Sequence, residues 1–190
     1  MARPKQFDEE RAVQAAMRAF WTAGYEATST QDLCAATGLG RSSIYNTFTS
    51  KHELFRRALD RYMAAKNGPI FELLDGTGSA KEKLRALLEQ AADAPEDEPA
   101  GCLVVNSTVE LAPRDPEVAA ILRADLRRRH DAITATIAEG QRAGEIHKSR
   151  EANELAHFLI ATISGIRVAA RGGADRKTLS AIAETALACL

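Results

Sequence analysis

Thr28-Ser-Thr-Gln-Asp-Leu-Cys-Ala-Ala-Thr-Gly-Leu-Gly-Arg-Ser-Ser-Ile-Tyr-Asn-Thr-Phe-Thr-Ser-Lys51 reads as two short helices around a bend. Ser29 or Thr30 suits the N-cap of the first, which stops at Gly38; the second starts after Gly40 and runs to about Phe48. Helices of about eight residues are unstable in isolation, so these two must share a small core and lean on neighbours. Leu33, Ala36, Leu39, Ile44 and Phe48 are able to build it, with Gly38 free to take a positive φ and Ala36 allowing close approach. This is helix-turn-helix grammar, at residues 29–48. The opposite flank of the second helix holds Arg41, Ser42, Ser43, Tyr45, Asn46 and Thr47, all with hydrogen-bonding side chains. A helix about 12 Å long fits a major groove about 12 Å wide, where such groups reach base edges.

Working outward, the same helical punctuation fills all 190 residues. Thirty-six alanines and few aromatics favour helix, and no stretch alternates with the period of a strand. Upstream, Asp8 is the expected cap of a first helix whose Val13, Met17, Phe20 and Trp21 share one face, ending at Gly24. Downstream, a fourth helix after Ser50 carries Leu54, Phe55, Ala58, Leu59, Tyr62 and Met63 and is expected to stop at Asn67-Gly68-Pro69. Further helices are expected over 81–92, 101–112, from Asp115-Pro116-Glu117 to Gly144, from a Ser149 cap to Gly172-Gly173, and from Asp175 onward. The expected fold is therefore all-α with eight or nine helices. A three-helix domain spans 6–66, and a second helical domain spans 67–190.

Charge supports a local rather than a global nucleic-acid role. The chain carries 25 Lys and Arg against 26 Asp and Glu, whereas residues 1–62 hold nine against seven. Arg3, Lys5, Arg41 and Lys51 fall where phosphates would lie, and helix starts add backbone donors. The basic tail Ala2-Arg3-Pro4-Lys5 either enters a neighbouring minor groove or has no role.

The run Gly24-Tyr25-Glu26-Ala27-Thr28-Ser29, then Asp32 to Leu39, then Ser43-Ile44-Tyr45 with Phe48, Ser50-Lys51 and Glu53-Leu54-Phe55 resembles the DNA-binding region of TetR-type transcriptional regulators. The resemblance covers Phe7 to about Tyr62. It implies a homodimeric repressor on double-stranded operator DNA, with the later helices forming a small-molecule effector pocket and a dimer interface. By position, Thr28 and Ser29 would meet phosphate, Arg41 and Ser42 would approach bases, Tyr45 would touch phosphate or a thymine methyl, and Lys51 phosphate. Two departures stand out. Thr30 replaces an aliphatic residue, and Asn46-Thr47 replace the usual aromatic or His pair; Asn46 can read adenine through two hydrogen bonds.

The rest of the chain is less specific. The apolar stripes of 152–170 and 175–190 either pair with a second copy across a two-fold axis or close the core of a single subunit. Cys34, Cys102 and Cys189 are too sparse for a disulfide scaffold. Cys102, in an apolar segment with Asn106, is either a buried structural thiol or a sensor of oxidants and electrophiles, and Asn106 a weak candidate ligand contact. That leaves a second function open: a small-molecule-binding or redox-sensing helical protein acting through Cys102. An architectural DNA-binding protein fits poorly with so modest a charge. His52, His130, His147 and His157 lack zinc spacing, and Arg127-Arg128-Arg129-His130 reads as a solvated face. No cofactor fingerprint or catalytic motif is found, no segment like a signal peptide, and no apolar run of about 20 residues, so a cytoplasmic, non-enzymatic, non-membrane protein is expected.

Overall fold

The computed structural model describes residues 3–93, 95 and 97–190, with side chains described from Glu9 onward. Among these residues the chain forms nine helices and no strand. They are α1 (Arg3–Ala23), α2 (Thr30–Thr37), α3 (Arg41–Phe48), α4 (Lys51–Asp75), α5 (Ala80–Ala92), α6 (Leu103–Glu110), α7 (Pro116–Ala143), α8 (Ala152–Arg171) and α9 (Arg176–Ala188).

Local chemistry sets most of the boundaries. Ser29 and Asp32 form a reciprocal capping box at α2, and Ser79 and Glu82 form another at α5. Ser50 caps α4 through Glu53 N–H. Asp115 accepts from Glu117 and Val118 N–H at the start of α7, with Pro116 in the first turn. Gly38, at φ 70, closes α2 in the left-handed conformation and turns the chain towards α3.

Four expectations change. The first helix begins at Arg3, not at Asp8. The segment expected over 101–112 is helical only over Leu103–Glu110. Glu151, not Ser149, precedes α8. Most consequentially, α4 does not stop at Asn67-Gly68-Pro69 but runs on to Asp75. A proline inside a helix removes a hydrogen bond and crowds the preceding turn, typically costing about 3 kcal/mol. The helix nevertheless continues, because both of its halves are anchored. Leu54, Phe55, Leu59 and Tyr62 are buried in one core, while Leu74, with Ile70 and Leu73 beside it, belongs to a second. The boundary expected at 66/67 thus lies within one helix.

The first core gathers α1 to α4 together with Leu103, Leu111, Val118 and Leu122 from α6, α7 and the turn between them. Phe20, Leu33, Ile44, Phe48, Leu54 and Phe55 are all fully buried there. Ala36, expected at the contact between α2 and α3, faces solvent instead. The second core is built from α5, α8, α9 and the later part of α7.

Four carboxylates at helix starts lie below their ordinary acidity range. Asp32 is held there by the Ser29 hydroxyl, Glu82 by Ser79 N–H, Asp115 by Val118 N–H and then His52, and Asp175 by Thr178. A depressed folded pKa contributes stability that is complete above about pH 4 and is lost as pH falls through the folded value. Melting temperature should therefore drop on acidification below about pH 4. Asp115→Asn, which keeps an acceptor but cannot titrate, should lie lower at pH 6 and show a shallower fall; a parallel fall in both proteins would refute this origin.

Candidate nucleic-acid interface and internal cavity

Helix α3 presents two unlike flanks. Ile44 and Phe48 are each 1% exposed and anchor it, while Arg41, Ser42, Ser43, Tyr45 and Asn46 are exposed on the outside. Thr47 is half-buried at the edge. The Tyr45 hydroxyl lies 3.2 Å from Thr30 Oγ1, and the Arg41 guanidinium sits 5.7 Å from the Tyr45 ring centroid. The Thr30 hydroxyl, and after it Arg41, hold the Tyr45 phenol below its ordinary range. Thr30, Arg41 and Tyr45 are thereby brought together as one surface group. Lys51 stands over the Tyr25 ring, 4.3 Å from its centroid, at the start of α4.

Two expected phosphate contacts are altered. Thr28 is corrected: it is 1% exposed and donates its hydroxyl to the Gly24 carbonyl at 2.6 Å, so its side chain faces inward. Ser29 is exposed, but its hydroxyl donates to Asp32 at 2.6 Å and accepts from Asp32 N–H. The tail's Ala2, and the side chains of Arg3, Pro4 and Lys5, lie outside the described residues.

The turn into α4 carries a feature that sequence reading misses. Thr49 takes φ 63, where a residue with a Cβ is disfavoured, and donates its N–H to the Tyr45 carbonyl. This tight reversal lets Ser50 cap α4 directly behind α3.

Among the contacts that tie this module to the rest of the chain, three use carboxylates of α6, α7 and its cap. The Glu110 carboxylate, at the end of α6, accepts from Tyr25 N–H at 3.0 Å and Glu26 N–H at 2.8 Å. Gly24 makes room for it: at φ 90, an added Cβ would stand 3.0 Å from a Glu110 oxygen. Asp115 meets His52 Nε2 at 2.7 Å, and Glu117 meets Arg56 at 2.8 Å. These pairs are 61 to 85 residues apart in sequence, so no local pattern announces them.

Beneath α6 lies a cavity of about 1190 Å³, bordered by α4 to α9. Small-molecule sites usually span about 300–1,000 Å³, so this one has room for a sizeable ligand. Cys102 lines it; Asn106 does not, and its side-chain nitrogen is buried without a partner among the described residues. Tyr62 is 4% exposed, and burial pushes its phenol well above the ordinary range. Asp125 is 6% exposed and held by Asn67 and Arg129. Arg129 is therefore not part of a solvated face as expected: it turns inward onto Asp125. His130 is also largely covered, its ring 4.2 Å from that of His157, while Arg127 and Arg128 are exposed.

Glu110→Ala removes both acceptors from the Tyr25 and Glu26 amides. It should lower unfolding free energy by about 1–3 kcal/mol, read by urea denaturation, whereas an unchanged midpoint would show that the clamp carries no load.

Comparison with known proteins gives a consistent picture. Residues 12–58 match the family described as "Bacterial regulatory proteins, tetR family", and residues 80–186 match "Tetracyclin repressor-like, C-terminal domain". The chain is 36% identical to the HTH-type transcriptional repressor ComR of Escherichia coli, over 97% of this chain and 90% of that protein. It is 30% identical to the uncharacterized HTH-type transcriptional regulator YezE of Bacillus subtilis, over the full length of both. Among solved structures, a cysteine mutant of the TetR family regulator CifR, complexed with 26-base-pair operator DNA, superposes with a TM-score of 0.84. It shares 30% identity, over 94% of each chain.

Proposed function

This chain belongs to the tetR family and is a DNA-binding transcriptional regulator, and we propose that it acts as a homodimeric repressor released from its operator by a small molecule in the α4–α9 cavity. The observation carrying this reading is the division of α3. Its apolar flank is buried and its polar flank stands free, at a length that suits the major groove. Arg41, Ser42, Ser43, Tyr45 and Asn46 read bases or adjoining phosphates. Lys51 meets phosphate, Thr30 steadies Tyr45, and Thr47 lies at the rim. Residues 6–66 are the DNA-binding unit, and 67–190 the effector and dimerisation unit. The work is binding, without a catalytic step. No helix among the described residues is long and apolar enough to cross a membrane, and a cytoplasmic location follows from the need to reach DNA.

Dimerisation is assigned to α8 and α9. Phe158 is 41% exposed and Val168 56% exposed, with Ala161 and Gly165 on the same face of α8. On α9, Ala181, Thr185 and Ala188 are also exposed. Small residues around two large apolar ones let a second copy approach closely and bury them. A two-fold dimer would set its two α3 helices about 34–36 Å apart, or a multiple of this, to match successive grooves. Effector binding can release DNA only by preferring another geometry. Shifting a population from 99:1 to 1:99 takes about a 10⁴-fold preference, roughly 5.5 kcal/mol.

In a salt titration against the DNA upstream of its own gene, Arg41→Ala and Lys51→Ala should both weaken binding. The Lys51 variant should lose affinity about equally on all sequences and with a shallower salt slope; unchanged binding by both variants would overturn the interface. Nothing lies within 4 Å of a Cβ built at Gly165, so Gly165→Glu should leave each subunit folded. Sedimentation should then show the mass fall from twice 20.5 kDa to 20.5 kDa. A wild-type protein already at 20.5 kDa at micromolar concentration would overturn the dimer.

A further inference from the structure

Six cations border the cavity, and their partners differ. Lys66 is paired with Glu98 at 2.6 Å, Arg129 with Asp125 at 2.8 Å and Arg176 with Asp93 at 3.2 Å. Arg85 and Arg123 are exposed to water. Arg167, on α8, is half-buried and, among the described residues, pairs with no carboxylate. Its guanidinium donates to one neutral acceptor, the Gln90 carbonyl at 3.0 Å. A half-buried guanidinium with one neutral partner keeps donors free for an anion from solution.

The groups around Arg167 suit one kind of completion. Tyr62 lines the same cavity and, at 4% exposed, is among the most buried polar groups on its wall. A phenol hydroxyl is a donor for which a carboxylate oxygen is a far stronger acceptor than a neutral group. A guanidinium and a phenol on one cavity wall thus offer donors and one positive charge. The cavity wall also carries apolar Met63, Leu88, Ala91, Val105, Ile160 and Ile163. A purely apolar ligand would leave Arg167 without a counter-charge.

We infer that the cavity takes an amphiphilic organic acid, with its carboxylate against Arg167 and Tyr62 and its apolar body along α4, α5 and α8. This inference rests on the cavity being the effector site, and it adds the chemical class of the effector. The site would be selective by charge as much as by shape, because binding supplies a counter-charge for Arg167.

The single tryptophan gives a direct reporter. Trp21 packs edge-on to Tyr62, with ring centroids 4.9 Å apart. Tryptophan fluorescence of the full-length protein can be titrated with octanoate, 1-octanol and octylammonium, each below its micelle-forming concentration, with melting temperature as a second readout. Octanoate should bind at least about tenfold more tightly than either of the others. Arg167→Gln should remove that preference while leaving octanol binding intact, and Arg167→Lys should retain part of it. Tyr62→Phe should weaken octanoate by about fivefold, the effect of one hydrogen bond. Equal binding of octanol and octanoate, or a preference that survives Arg167→Gln, would overturn the carboxylate while leaving the cavity as effector site. Binding of none of the three, by either readout, would overturn both.

Discussion

The placement of α3 depends on a constraint of length. Eight residues form about two turns, and so short a helix gains too few internal hydrogen bonds to offset the entropy of ordering it. Its position must be imposed from outside. Phe20 and Phe55 meet edge-to-face with centroids 5.2 Å apart, and Tyr25 packs on both rings. Leu33, Ile44 and Phe48 share the core these rings build. The module is rigid because its interior is aromatic and dense, and only on such a base can a short polar flank keep a fixed outward orientation. The strained Thr49 turn fits this view, since a disfavoured φ persists only where the surroundings determine it.

The second constraint is how a cavity in one core can be felt by another. Helix α4 enters both cores without a break, its first half against α1 and its second against α5. Helix α6 follows its cap Cys102, on the cavity wall, and ends at Glu110, which grips the amides of Tyr25 and Glu26. At about 1.5 Å per residue, α6 covers roughly 12 Å between these points. A change at the cavity that displaces α6 must either carry the α1–α2 turn with it or break two charge-assisted hydrogen bonds. The proline in α4 falls between its two anchored halves, where a missing backbone hydrogen bond makes bending easiest.

Much of this organisation was legible in the residues. Val13, Met17, Phe20 and Trp21 recur at helical spacing and are all buried; Asp115-Pro116 and Gly144 bound α7 as their chemistry requires. Such signals are local, acting within one or two turns. The failures have a common cause. Pro69 carries a backbone penalty that predicts a stop, but burial on either side outweighs it. The Thr28 hydroxyl suits a phosphate, but in the fold it bonds to Gly24. Arg129 belongs to a basic run, but Asp125, four residues earlier, draws it inward. The Glu110 clamp and the Arg167 end of the cavity arise from residues brought together across long stretches of chain. Each side chain is ordinary where it stands in sequence, and only the tertiary structure gives it a partner or leaves it without one.

The modest charge of the first domain is itself informative about how the proposed repressor would work. Residues 1–62 hold nine Lys and Arg against seven acids, and several of those cations are spent internally, Arg57 on Glu9 and Glu53, Arg56 on Glu53 and Glu117. Few remain for phosphates, so one copy alone gains little from counterion release. Useful affinity then has to come from two copies held at the spacing of the grooves, with the second contact made intramolecular by the first. That dependence makes release economical. An effector need not cover the recognition helix or neutralise any charge on it; it needs only to disturb the distance between two weakly binding heads, since each by itself holds DNA too loosely to stay.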